Sequence, residues 1–393
     1  MSGPAHFFLI AGEPSGDKLG ASLMAGLKTL APDTRFSGVG GPLMQAEGLE
    51  SLFAIDELSV MGILEVLPRL PKLLARVRET ADVITKLSPD AVITIDSPDF
   101  CLRVVSRARS SDNTLKTIHY VAPTVWAWRP ERAAKMARNV DHVLALFPFE
   151  PPYMQAEGMG CDFVGHPVVA EATPSSAEIR QFRAELGLTH SEPLLLVLPG
   201  SRSGEVARME PVFAASVAQV LSARPDVKVL VVAASPVAGM LEERLKSWPV
   251  QPILLDPRTG DARQSERRKS IAFAAADLAL AASGTVSLEL ARAKTPMVIA
   301  YRFNWLTTRI VKRKVNLASA TLVNLLTKTT AVPEFLFEDC VPEKIAPCVL
   351  SYLEDEQARA AQIKAGDEAM SLLGASDDAP GLRAARAVLR VIQ

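Results

Sequence analysis

Two short glycine-containing turns carry the most chemistry in this chain. The apolar run Leu194–Leu198 is followed by Pro199-Gly200-Ser201-Arg202-Ser203-Gly204-Glu205, and Leu278–Ala282 by Ser283-Gly284-Thr285-Val286-Ser287-Leu288-Glu289. Each reads as a buried strand, a tight turn and a helix start. That arrangement aims backbone N–H groups and a helix N-terminus at one point, where an anion is favoured. Gly200 allows close backbone approach, and Arg202 offers a planar fork suited to phosphate oxygens. Together Gly200, Ser201, Arg202, Ser283, Gly284 and Thr285 point to a bound nucleoside diphosphate. Taken singly, each turn also reads as ordinary capping chemistry. Glu289 lies four residues after Thr285 on the same helical face, where it accepts hydrogen bonds from a ribose or faces solvent.

The first half of the chain offers carboxylates instead. Gly12-Glu13-Pro14-Ser15-Gly16-Asp17 follows the apolar run 7–11 and departs from the dinucleotide fingerprint GxGxxG. Glu13 and Asp17 would repel a phosphate there, so sugar-hydroxyl recognition suits the loop better. A plain turn with Asp17 starting a helix is the alternative. Asp96-Ser97-Pro98-Asp99 ends a strand expected at 91–95, where a carboxylate can serve as general base toward a hydroxyl. Asp, Ser and Pro are equally turn formers. His119 sits in a strand-like run and reads as a core residue. His166, in Val164-Gly165-His166-Pro167, lines a cleft or marks a hinge. No spacing such as HExxH suggests a metal, and no metal or cofactor is expected.

These residues need elements to hold them. Short Val/Ile/Leu/Ala runs without alternation recur at 7–11, 36–39, 91–95, 116–121 and 140–146. After a Pro/Ser/Thr-rich break at 165–176 they recur at 194–198, 228–233, 252–255, 277–282 and 297–301. Strands buried on both faces read this way, and the helical patterns between them imply βαβ units with parallel sheets. The expected architecture is α/β with two Rossmann-like domains facing across a cleft, spanning 1–168 and 169–354. A tail at about 355–393 is expected to return to the first domain. In such sheets ligands bind at the carboxyl ends of the strands, where all the loops above lie.

Length supports two domains: 393 residues exceed one ordinary core. A net charge of −1 argues against a nucleic-acid partner. Four scattered cysteines fit free thiols in a reducing cytoplasm. No basic leader precedes the first apolar run, and no uncharged stretch reaches the ~20 residues of a spanning helix. One segment does suggest a lipid surface. Residues 58–78 include Val60, Met61, Ile63, Leu64, Leu67 and Leu70 beside Arg69, Lys72, Arg76 and Arg78. An apolar face with flanking cations suits an anionic membrane interface. A core-packed helix with a solvated basic edge is the competing reading. Trp126 and Trp128 with Arg129, Arg132, Lys135 and Arg138 pose the same choice.

The ordered blocks Ala11-Gly12-Glu13-Pro14-Ser15-Gly16-Asp17, Gly38-Val39-Gly40-Gly41-Pro42, Asp96-Ser97-Pro98-Asp99-Phe100 and His119-Tyr120-Val121-Ala122-Pro123 resemble the lipid-A-disaccharide synthases. So do Phe163-Val164-Gly165-His166-Pro167, Leu198-Pro199-Gly200-Ser201-Arg202, Ala282-Ser283-Gly284-Thr285, Asn324-Leu325-Leu326 and Val332-Pro333-Glu334. The resemblance spans nearly the whole chain. It implies a metal-independent inverting glycosyltransferase of GT-B fold, peripheral on the cytoplasmic face of the Gram-negative inner membrane. The donor would be UDP-2,3-diacylglucosamine and the acceptor 2,3-diacylglucosamine 1-phosphate, giving a β-1,6-linked disaccharide 1-phosphate and UDP. Asp99 is then the first choice of base, with Asp17, Glu13 and Asp96 as rivals, and Ser15, Gly16, Asp96 and Asn324 are assigned to the acceptor. A homodimer is left open. The competing readings are a GT-B UDP-sugar epimerase, which would turn over donor alone, and a non-catalytic UDP-sugar sensor.

Overall fold

The computed structural model describes residues 4–58, 63–126, 130–189, 192–302 and 319–393. The chain divides into two compact units. Unit 1 comprises Met1–Ala170 with Leu373–Gln393, and unit 2 is Glu171–Leu372.

Unit 1 is built on strands β1 (His6–Ala11), β2 (Arg35–Val39), β3 (Glu50–Ser51), β4 (Ala91–Ile95), β5 (Thr117–Tyr120), β6 (His142–Ala145) and β7 (Gly160–Phe163). They form one parallel sheet in the order β3-β2-β1-β4-β5-β6-β7. Unit 2 carries β8 (Leu194–Leu198), β9 (Lys228–Val232), β10 (Ile253–Leu255), β11 (Leu278–Ala282), β12 (Met297–Tyr301) and β13 (Glu334–Leu336). Their order is β10-β9-β8-β11-β12-β13, again all parallel. The central strands are buried along their length, as Phe7–Ala11, Leu194–Val197 and Leu278–Ala281 show. Helices cover both faces, which is why these strands read as unbroken apolar runs.

In both sheets the strand order reverses between two neighbouring strands. In unit 1 the switch lies between β1 and β4, and in unit 2 between β8 and β11. Crossovers leave those two strands to opposite faces, so the loops at their carboxyl ends splay apart and open a crevice. The four loops singled out above are those that follow β1, β4, β8 and β11.

Three strands escaped the periodicity argument: β3, β7 and β13 are short edge strands of mixed polarity. The C-terminal return also begins later than about 355. Helix Glu356–Leu372 stays with unit 2 because the Gln362 amide pairs with both the N–H and the carbonyl of Met297 on β12. Only helix Pro380–Ile392 joins unit 1, against helix Pro14–Leu30. Two glycines permit that approach. A Cβ on Gly26 would come 2.5 Å from the Gly381 carbonyl oxygen, and one on Gly381 would come 2.3 Å from Ser22 Oγ.

Candidate active site

In unit 2 the loops after β8, β9, β10 and β11 enclose a cleft of about 950 Å³. Gly200 adopts φ +122°, and a Cβ there would collide with the Glu205 side chain at 2.4 Å. Only glycine suits the position. The Glu205 carboxylate is folded back against this loop and accepts the Ser201 N–H at 2.9 Å. The Ser201 amide expected to meet a phosphate is therefore already satisfied. Arg202 heads helix Ser203–Ala223, projects into the cleft and makes no ion pair among the described residues.

Across the cleft, Gly284 and Thr285 are exposed, and a side chain on Gly284 would meet nothing within 4 Å. Ligand atoms can thus come up to this backbone. Ser283 does not cap the following helix as expected. Its hydroxyl donates to the Ala320 carbonyl at 3.1 Å. Glu334 in turn fixes residues 319–321, accepting from the Ala320 N–H at 3.0 Å and from the hydroxyls of Ser319 and Thr321. So Glu334 supports the Ser283 turn from below. Glu289 faces the cleft paired with Lys269 at 2.9 Å, and Lys269 also meets Glu266 at 3.1 Å. Burial pulls the Lys269 ammonium down, but Glu289 and Glu266 outweigh it and hold the pKa above the ordinary range. A permanent cation thus lines the cleft. Lys269 carries no motif in the linear sequence, and nothing in the block Val332-Pro333-Glu334 points to the turn that Glu334 supports.

Unit 1 brings the β1 and β4 loops into contact. A Cβ on Gly12 would strike Ser97 Oγ at 2.4 Å. Asp96 and Ser97 are both left-handed, with φ +52° and +43°, and Val121 beyond β5 has φ +85°. Such conformations in non-glycine residues each cost about 1–3 kcal/mol and cluster at functional sites. Asp96 accepts the Ser97 N–H at 2.8 Å. Asp99 lies exposed in the first turn of helix Pro98–Ser111. Glu13 is the N-cap residue of helix Pro14–Leu30, with Ser15 exposed and Gly16 buried beside it.

Asp17 corrects the expectation. It is 4% exposed, and its carboxylate accepts the N–H groups of Gly41, Leu43 and Met44 at 2.9–3.0 Å. It neither starts its own helix nor reaches a sugar: it caps the neighbouring helix Pro42–Ala46. Gly41 is required by the same contact, since a Cβ there would fall 2.5 Å from Asp17 Oδ2.

One buried carboxylate was not anticipated. Glu150, beyond β6, accepts the N–H groups of Leu146 and Phe147 at 3.0 Å each. It adjoins stacked Phe147 and Phe149, with Trp126 edge-on to both and His166 5.6 Å from Phe147. Burial raises the Glu150 pKa to about 7 against the opposing pull of the Phe147 N–H, and lowers that of His166 to about 4. His119, as expected, is a core residue, hydrogen-bonded to Thr94 at 2.7 Å.

Comparison with known proteins decides the family. Residues 7–378 match the family described as lipid-A-disaccharide synthetase. The lipid-A-disaccharide synthase of Ruegeria pomeroyi is 53% identical over 382 residues, covering 97% of this chain and 94% of that protein. That of Rhodospirillum centenum is 46% identical over 99% of this chain and 95% of its own length. The chain belongs to the lipid-A-disaccharide synthase family. Among solved structures, the Neisseria meningitidis UDP-GlcNAc 2-epimerase bound to UDP-GlcNAc superimposes with a TM-score of 0.63 at 11% identity, covering 98% of each chain. The Methanocaldococcus jannaschii UDP-GlcNAc 2-epimerase gives 0.59 at 14%, covering 98% of this chain and 99% of that one. These likenesses place both units in the GT-B fold.

One shared block is engaged in the scaffold. Asn324 is 2% exposed, and its amide both donates to the Val332 carbonyl at 2.8 Å and accepts the Val332 N–H at 2.9 Å. It ties helix Leu322–Thr327 to the segment leading into β13. The lipid-surface residues divide. Val60, Met61, Trp128 and Arg129 lie outside the described residues, as do the side chains of Ile63, Leu64, Leu67 and Arg69. Leu70 is exposed on helix Ile63–Leu87. Lys72 and Arg76, however, both pair with Glu57, at 3.1 and 2.9 Å, and Arg76 also meets Glu79 at 2.6 Å. Part of this basic edge is therefore paired within the protein. Farther along, Val77, Ala81 and Ile84 enter the core. No helix among the described residues is long and apolar enough to cross a membrane.

Proposed function

We propose that this synthase transfers a diacylglucosamine unit from UDP to the 6-hydroxyl of a diacylglucosamine 1-phosphate, with inversion at the anomeric carbon. Unit 2 handles the donor. The observation that carries this is the Arg202 guanidinium, without an ion pair among the described residues, opposite the open Gly284-Thr285 backbone in a cleft that also presents Glu289 for ribose hydroxyls. Unit 1 handles the acceptor, with the β1 and β4 loops, Ser15, Gly16 and Asp96 among them, flanking Asp99.

The acceptor oxygen forms its bond to the anomeric carbon as the bond to the diphosphate oxygen breaks. That electron pair leaves with UDP, and the hydroxyl proton passes to Asp99. Glu13 and Asp96 are the remaining rivals for that proton, since Asp17 is fully engaged as a cap. Negative charge grows on the departing diphosphate, where Arg202 meets it at fixed position. Peripheral contact with the cytoplasmic face of the inner membrane follows from acyl-bearing substrates, with exposed Leu70 and Leu74 on the contacting side.

The test is incubation of the purified protein with both lipids in EDTA, with products read by mass spectrometry. A disaccharide 1-phosphate appearing only when both lipids are present supports the transferase. UDP released from donor alone would favour an epimerase, and donor binding without turnover a sensor.

A further inference from the structure

Helix Pro98–Ser111 carries Asp99 at the mouth of a second hollow. A groove of about 630 Å³ runs down its outer side, bounded by helix Glu131–Ala137 and Asn139. Asp99 is the one acidic residue among its described lining, against Arg103, Arg107 and Lys135. Arg107 has an exposed partner, Asp82, at 3.4 Å, a contact worth little in water. Arg103 and Lys135 have no ion pair among the described residues, and both are exposed. The groove thus gathers two uncommitted cations beside one carboxylate.

Spacing gives this grouping a meaning. Asp99 and Arg103 are four residues apart, so they share a helical face with Cβ atoms about 5–6 Å apart. That is comparable with the span of one pyranose ring, from the 6-hydroxyl at one end to the anomeric substituent at the other. We infer that Arg103 and Lys135 form the subsite for the acceptor's anomeric phosphate, a phosphomonoester held one helical turn from Asp99. Arg103 supplies a forked donor and Lys135 a point charge. Ser106 lies one turn farther along the same groove as a hydroxyl partner. The subsite also orients the sugar, since fixing the phosphate leaves the 6-hydroxyl at the Asp99 end. This rests on the reading of Asp99 as proton acceptor, and the experiment separates the two.

The measurement uses glucosamine 1-phosphate and glucosamine as soluble probes, with the full chain and its R103A, K135A, double and D99N variants. Arg103→Ala with Lys135→Ala should weaken glucosamine 1-phosphate binding at least about tenfold and raise KM for the acceptor lipid similarly. Its UDP affinity should match that of the unaltered protein, as should its weak affinity for glucosamine. D99N should keep the phosphate affinity and lose turnover. A double variant with unchanged phosphate affinity and acceptor KM overturns the subsite, even where D99N is inactive. An active D99N with a phosphate-blind double variant removes Asp99 as the base and leaves the subsite standing. If the double variant instead loses only binding to vesicles of anionic phospholipid, the groove recognises lipid headgroups and the acceptor assignment is overturned. Both cations are exposed, so retained circular dichroism is expected for every variant.

Discussion

The two units share one topology and use their loop carboxylates in opposite ways. In unit 1 the acids near the strand ends are mostly taken up by backbone: Asp17 by three N–H groups, Glu150 by two and Asp96 by one. In unit 2 the acids lining the cleft mostly face cations, as Glu289 and Glu266 face Lys269 and Asp256 faces Arg258. A carboxylate locked on backbone amides builds a loop, whereas one paired with a side chain tunes the charge of a ligand site. Each unit has an exception. Asp99 in unit 1 is left exposed, and Glu205 in unit 2 sits on the Ser201 amide. The exceptions are where the comparison is most easily broken.

The largest effect is expected at Asp99. Asp99→Asn should lower turnover by roughly 10²–10⁴ while UDP binding is kept, measured by steady-state kinetics and calorimetry. Normal turnover would remove unit 1's free carboxylate from the chemistry. Arg202→Ala should cost ~10²–10³ in turnover of a folded protein. A near-native rate would mean that the cleft stabilises the leaving diphosphate by other groups. Asp17→Ala should act on stability instead, by roughly 3 kcal/mol in denaturant unfolding, because three amides lose their acceptor. A stable but inactive variant would move Asp17 from scaffold to catalysis.

Glu150 gives the pH test. Its folded pKa of about 7 lies above the ordinary carboxyl value, so the native state binds more protons than the unfolded one between about 4.5 and 7. Stability should therefore fall as pH rises through that window, by at most about 3 kcal/mol. Glu150→Gln should flatten the fall, raising Tm at pH 8 and leaving it nearly unchanged at pH 4. An equal change at both would show that the carboxylate is ionised throughout. The smallest effect is expected at Glu205. Its charge competes with the donor diphosphate, so Glu205→Gln should tighten UDP binding a few-fold and leave uridine binding alone. Weaker UDP binding would make Glu205 a support of the phosphate loop.

Much of this molecule is legible in its residues. Leu194–Leu198 and Leu278–Ala282 are strands because nothing else explains five consecutive apolar residues ending in a glycine turn. Their adjacency across β8 and β11 then brings Arg202 and Thr285 to one cleft. The role of Asp17 was not legible. Nothing within its own loop indicates that Gly41, Leu43 and Met44 will arrive from another strand–helix unit with three amides to satisfy. Lys269 and the supporting role of Glu334 were not legible for the same reason, since their partners lie outside their own loops.

The sequence by itself determined the local terms: which runs are buried, where the chain must turn, and which positions only glycine can fill. Those follow from side-chain hydrophobicity and backbone sterics within a few residues. Tertiary structure alone decided which charged groups remain available. A carboxylate's role depends on the donors that surround it, and those come from strands and helices tens of residues away. Asp17 and Asp99 look equivalent as text, and three amides against open solvent make one a cap and leave the other free for a partner from outside.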